Sequence, residues 1–179
     1  MKKLCLTMIF AIVIFATVNA QLRIGVSEST AMPLFTFADG ANLGIGGAIH
    51  LDYSQSGSGA MGLKVGYIGF GKKDIVSTTI IPITFTYNSF LGKGKIFKPY
   101  YDGELGLGII SSKIDKTTLT KETTTSASKF AWKIGIGMEY LLNQKLTLDP
   151  NLGYYNILTD GGGISYLGLN LGVKYNLSK

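Results

Sequence analysis

The chain has a single histidine, and it stands two positions from a carboxylate and four from a hydroxyl: His50, Asp52 and Ser54. These three residues are the types needed for a general base, its orienting carboxylate and a nucleophile. A second candidate is the pair Asp102 and Glu104, whose spacing offers two carboxyl groups for acid–base work. The only cysteine, Cys5, lies in an apolar N-terminal stretch, so the rest of the chain offers no thiol nucleophile, thiolate metal site or disulfide framework. No Walker-type loop, zinc spacing or calcium loop occurs, and the expectation is no cofactor and no metal. What the two candidates can do depends on the elements that carry them, because residues two apart share a face on a strand and diverge on a helix.

Those elements read as strands. Between Ala41 and Tyr53, Leu43, Ile45, Ile49, Leu51 and Tyr53 alternate with Asn42, Gly44, Gly46, Ala48, His50 and Asp52, the period of two that marks a long strand with one apolar face. The pattern returns over Met61–Gly69, Thr79–Phe90, Pro99–Ile109, Phe130–Tyr140 and Leu167–Leu177, and more weakly over Leu22–Ser27 and Leu146–Ile157. About eight strands result, many of them near the roughly 9–11 residues that a tilted membrane strand requires. Helix-period patterns are hard to find among the 24 glycines.

The N-terminus adds a location. Lys2 and Lys3, an apolar run from Leu4 to Val18 and the small-residue exit Val18-Asn19-Ala20 have the form of a secretory signal peptide. The expected organisation is a leader over residues 1–20, removed on export, and one domain over 21–179. The formal charge of +6 falls to +4 without the two leader lysines, and the remaining positive charges are scattered. No nucleic-acid-binding face is expected.

Composition decides which face is inside. The interior of an eight-stranded barrel is just wide enough to be filled by side chains. One face carries Gly, Ala and a few long charged residues and suits that space; the other is too bulky for it and must face lipid. The inward face collects Arg23, Lys64, Lys133 and Lys174 with Asp52, Asp102, Glu104, Glu139 and Asp149, and His50 lies among them. Near balance of sign predicts paired networks that plug the lumen. On the outward face, Tyr53, Tyr87, Tyr101, Tyr140 and Tyr175 fall near one set of strand ends and Tyr67, Trp132 and Tyr154 near the other, as the aromatic girdles of a membrane barrel would.

Connections alternate as well. From a periplasmic N-terminus, Glu28–Gly40, Phe70–Ser77, Ser111–Lys129 and Thr159–Gly163 are expected outside the cell, and Ser54–Gly59, Leu91–Phe97 and Leu142–Lys145 as compact periplasmic turns. The Thr-rich segment Lys113–Lys129 is expected to be mobile.

The stretch Ile81-Pro82-Ile83-Thr84-Phe85-Thr86-Tyr87, the turn Gly92-Lys93-Gly94-Lys95, then Lys98-Pro99-Tyr100-Tyr101 and Gly103-Glu104-Leu105-Gly106-Leu107-Gly108 resemble the small outer-membrane protein β-barrel domain family, of OmpA and OmpX type. The closing segment Leu167–Tyr175 is similar to that family's last strand. The resemblance implies a fold and an outer-membrane location in a Gram-negative cell, and no single biochemical activity. Such barrels commonly end in an aromatic residue read by the barrel assembly machinery; this chain ends Asn176-Leu177-Ser178-Lys179, with Tyr175 the nearest aromatic on the outward face.

The resulting expectation is an all-β, eight-stranded antiparallel up-and-down transmembrane barrel with no catalytic site. Its role would be structural or surface-interacting, its partners being outer-membrane lipid, the assembly machinery and an extracellular ligand met by segments 28–40 and 111–129. A narrow channel for a small solute or ion ranks second and a lipid-modifying enzyme last. His50 and Asp52 are read as members of the lumen's polar network, and Asp102 and Glu104 as partners of the basic residues on the same wall.

Overall fold

The computed structural model describes residues 20–55, 59–73, 76–92, 94, 96–115, 123–160 and 162–177. Eight strands follow one another: β1 (Ala20–Leu34), β2 (Gly44–Gln55), β3 (Gly59–Lys73), β4 (Val76–Phe90), β5 (Phe97–Ile114), β6 (Thr123–Leu141), β7 (Leu146–Thr159) and β8 (Gly162–Asn176). A five-residue helix, α1 (Thr36–Gly40), sits between β1 and β2. Every strand pairs antiparallel with its sequence neighbours, and β8 pairs with β1 to close the barrel.

The strands are staggered. Following paired residues around the wall from Leu34 leads through Ser165, Asn156, Trp132, Leu105, Phe85, Leu63 and Leu51 and returns to β1 at Ile24, ten residues below the start. Such a stagger is what tilted strands in a closed barrel require. Both ends of the chain's described part, with the β2–β3, β4–β5 and β6–β7 connections, lie at one rim, called here the turn end; the opposite rim is the loop end.

Three expected external segments are in large part strand. β1 runs on through Glu28 to Leu34, β3 to Lys73 and β4 back to Val76, and the segment 111–129 is strand over Ser111–Ile114 and Thr123–Lys129. Polar residues on both faces hid these extensions, because alternation disappears while hydrogen bonding to the neighbouring strand continues. The β-branched Thr residues involved favour extended backbone. Residues 116–122 lie outside the described part, as does the expected leader apart from Ala20, whose backbone opens β1.

Large aliphatic and aromatic residues face outward along every strand, among them Ile45, Leu63, Phe85, Leu105, Ile134 and Leu169. Inside, glycine makes room at specific contacts. A side chain at Gly168 would start 2.6 Å from the Tyr155 ring, and one at Gly137 would overlap the ring of Tyr100.

Candidate functional site

The interior is layered, and the layers differ in chemistry. Nearest the turn end, Arg23 Nη1 donates to Glu139 Oε2 (2.8 Å), and Lys174 Nζ lies 3.1 Å from Glu139, 2.9 Å from Asp52 and 2.9 Å from Asp149. The Tyr100 hydroxyl donates to Asp149 Oδ1. Arg23 Nη2 is 3.7 Å from Asp52 Oδ2, an ion pair without a direct hydrogen bond.

Above it, Lys64 Nζ donates to Glu104 Oε1 (2.8 Å), Lys133 Nζ pairs with Asp102 and lies 3.2 Å from Glu104, and Thr84 donates to the other Glu104 oxygen (2.8 Å). Asn151 ties the wall together: it accepts from Lys133 (2.6 Å) and from Asn170 (3.2 Å) and donates to Asp102 (2.8 Å). These charges survive burial because each has opposite charge within reach and most are hydrogen-bonded as well. Remaining space among them amounts to a cavity of about 30 Å³, room for about two waters.

The loop-end layer has a different composition. Ala31, Ala41, Ile68, Phe70, Ile80, Ile110, Ala131, Tyr155, Ile157 and Tyr166 form an apolar plug, with Phe37 of α1 and Ile164 packed against it. A ring ladder descends through it: Phe37 to Phe70 (4.9 Å), Phe70 to Tyr166 (5.5 Å), then Tyr166 stacked on Tyr155 (4.7 Å). Tyr155 is the junction between chemistries, since Lys64 and Lys133 each hold their ammonium 5.3 Å from its ring centre and its hydroxyl meets Lys64 Nζ at 3.2 Å. The expectation of an interior made only of small and ionised residues is therefore corrected at this end, where strand positions apolar on both faces bury one side chain inside and show the next to lipid.

All ten residues singled out for the lumen, Arg23, His50, Asp52, Lys64, Asp102, Glu104, Lys133, Glu139, Asp149 and Lys174, point inward. His50 Nε2 is 2.8 Å from Ser27 Oγ, a partner the sequence did not suggest, while Asp52 is engaged by Lys174 and Ser54 lines the turn-end mouth. The trio does not assemble into a base, its orienting carboxylate and a nucleophile.

The eight aromatic residues singled out for the outer surface lie on the outward face. Tyr53, Tyr87, Tyr101, Tyr140 and Tyr175 form the row nearer the turn end. Tyr67, Trp132 and Tyr154 form the other, where the Trp132 and Tyr154 rings are 5.6 Å apart and Tyr154 donates to Ser165 (3.0 Å). At the loop-end rim, Lys72 pairs with Asp115 and Lys129 with Asp160 (2.6 Å), and these contacts hold both carboxyl groups below the usual aspartate range.

Beyond the rim, β5 and β6 project as a hairpin. β5 is covered by β4 up to Ile114, but β6 meets β7 only from Ala131, opposite Ile157, so among the described residues Thr124–Phe130 has a strand partner on one side alone.

A family model of the outer membrane protein beta-barrel domain matches residues 4–176. Solved structures with the same fold include the Neisserial surface protein NspA (13% identity, 89% of this chain and 98% of that one, TM-score 0.66). They include Ail, the attachment invasion locus protein of Yersinia pestis (17%, 88% and 97%, TM-score 0.53), and the outer membrane enzyme PagL (15%, 83% and 97%, TM-score 0.51). No curated protein matches the sequence closely enough to count as a relative. At these identities the likeness is one of fold, and the fold hosts surface proteins and an enzyme alike.

Proposed function

This chain belongs to the outer membrane protein β-barrel domain family, and from that premise we propose that it is a surface-interaction barrel of the cell outer membrane whose contact element is the projecting β5–β6 hairpin. In this reading the turn end faces the periplasm, the loop end faces outward, and a signal peptide directs export. The free edge of β6 carries the proposal. An exposed edge offers a row of unpaired backbone donors and acceptors, and proteins usually blunt such edges with charge, proline or a bulge. From Thr124 to Ser128 the sequence T-T-S-A-S has none of the first two, and all five residues are exposed. Such an edge suits an extended peptide segment of a partner protein, added as a further strand through main-chain hydrogen bonds.

A transport role has less support, because the plug and the charged layers occlude the lumen in series. A lipid-modifying role has less still, because the Ser27–His50 pair faces the narrow interior and not the lipid.

Deletion of Lys113–Lys129 should leave a barrel that still shows heat-modifiable migration, since the wall below Leu107 and Phe130 keeps its pairing. Presented in lipid nanodiscs to a displayed library of extended peptides, the intact protein should select binders that the deleted form has lost. Equal selection by both forms would remove the hairpin from the function.

A further inference from the structure

Among the described residues, one charged side chain stands on the lipid-facing wall between the two aromatic rows: Glu28 of β1. It is exposed, and its carboxyl group has no hydrogen bond or ion pair among the described residues. The register fixes its depth. Glu28 pairs with Gly47 on β2 and Leu171 on β8, and a stagger of just over one residue per strand brings it level with Ile49, Val65 and Leu169. Apolar side chains continue above it at Met32 and Ile45 and below it at Val26 and Ile24. A carboxyl group at this depth meets hydrocarbon, which has nothing to donate to it, and an ionisable group so placed is costly unless a partner satisfies it.

The surface around Glu28 is shaped as well as charged. Gly47 leaves a notch beside it, and the aliphatic side chains around Glu28 and that notch are among the most exposed on the barrel: Val26 60%, Ile45 62%, Ile49 61% and, on the β8 side, Leu169 60%.

We propose that this face is an interface between two copies of the chain, related by a two-fold axis along the membrane normal, in which the two Glu28 carboxyl groups hydrogen-bond to each other across the notch at Gly47. Depth selects the second copy over other occupants. Lipid tails carry no donor, and an unrelated protein would need a donor placed at the same level. A second barrel inserted in the same direction brings its own Glu28 to that level by symmetry, and a two-fold contact places the same patch on both sides. A carboxylic acid offers one donor and one acceptor, so two facing each other need no third component, and the exposed aliphatic rim packs around them. The β5–β6 hairpin lies on the opposite wall, so the contact leaves the proposed binding edge free.

Single-molecule photobleaching in lipid vesicles, over a wide range of protein-to-lipid ratios, tests the proposal. The native chain should form dimers. Glu28→Gln, which keeps a donor and an acceptor, should retain them; Glu28→Leu should lower association at least tenfold. Ile45→Trp, whose added bulk points into lipid and not into the barrel, should do the same with Glu28 intact, and it decides the matter if Glu28→Leu fails to show heat-modifiable migration. In a Cys5→Ala background, Thr30→Cys should cross-link two copies under mild oxidation while Leu105→Cys on the far wall should not. Monomers at every ratio, dimers indifferent to Glu28→Leu and Ile45→Trp, or equal cross-linking at both cysteines would each overturn it.

Discussion

The two halves of the lumen close the same tube by opposite means. Toward the turn end, Arg23, Lys64, Lys133 and Lys174 are balanced by five carboxylates in a network where the identity and charge of each group matter. Toward the loop end, Ile80, Ile157, Phe70 and Tyr166 fill space, and there volume matters more than chemistry. Tyr155 belongs to both, stacked on Tyr166 above and approached by two ammonium groups below. The difference teaches that a membrane barrel of this size has two solutions to the problem of a polar interior too narrow for bulk water. One satisfies buried charge by pairing it; the other removes the charge and packs apolar rings instead.

The sharpest way to break the comparison is to remove a charge without removing volume. Glu104 is the carboxylate held by Lys64 and approached by Lys133, and all three are buried. Glu104→Leu leaves Lys64 with no carboxylate among its partners, while Lys133 keeps Asp102. Breaking a buried pair by deleting one member costs about 3–5 kcal/mol, because the surviving charge stays desolvated. Chemical unfolding in lipid vesicles should show a loss of that size, and a smaller one for Glu104→Gln, which keeps polar atoms facing Lys64 and Thr84. A loss of under about 1 kcal/mol for Glu104→Leu would mean the layer behaves as packing, like the plug.

The plug should answer to volume. Ile80 is fully buried at its centre. Ile80→Ala should cost on the order of 3 kcal/mol through lost burial and a residual cavity, whereas the volume-conserving Ile80→Leu should cost less than about 1.5 kcal/mol. The same unfolding measurement checks both. Equal costs for the two substitutions would show that shape, and not volume, governs this end.

How much of this was legible in the sequence follows from the same contrast. Wherever one face is apolar and the other is not, as from Leu43 to Tyr53, alternation gives the strand and the register of its two faces, and the composition of those faces then gives the inward side. The charged layers followed from that register, since Lys64, Glu104 and Lys133 stand out against glycine and threonine neighbours. The plug was hidden because it is built from doublets: Tyr67-Ile68, Ile80-Ile81, Ile109-Ile110 and Tyr154-Tyr155 put apolar groups on both faces, and period two vanishes there. Those doublets are themselves a signal, of a wall buried inside and lipid-facing outside at the same height. Glu28 was hidden for the converse reason, because Ser27-Glu28-Ser29-Thr30 is polar on both faces and reads as the start of a loop. Tyr100, adjacent to the outward Tyr101, turned inward to reach Asp149, a tertiary contact with no local mark.

The rim ion pairs offer the weakest test, and their smallness is the point. Lys72–Asp115 and Lys129–Asp160 join strand ends that are otherwise held by backbone pairing, and both carboxyl groups are depressed by their lysine partners. A depressed carboxyl contributes stability that is present above its unfolded range, near 4, and is lost as pH falls through the lower folded value. Exposed pairs of this kind are screened by water and salt, so their contribution is slight. Hydrogen exchange at residues 111–115 and 158–160 should therefore be slightly faster in a Lys72→Ala, Lys129→Ala double variant than in the native chain at pH 7. Once the intrinsic pH dependence of exchange is corrected for, that difference should shrink as pH falls below about 4 and fade as the depressed aspartates take up protons. The buried layers should behave otherwise, because a charge pair shut away from water is screened far less by salt than one at the rim. If raising the salt concentration at pH 7 erased the cost of Glu104→Leu as readily as the rim difference, the lumen network would have to be as wet as the surface.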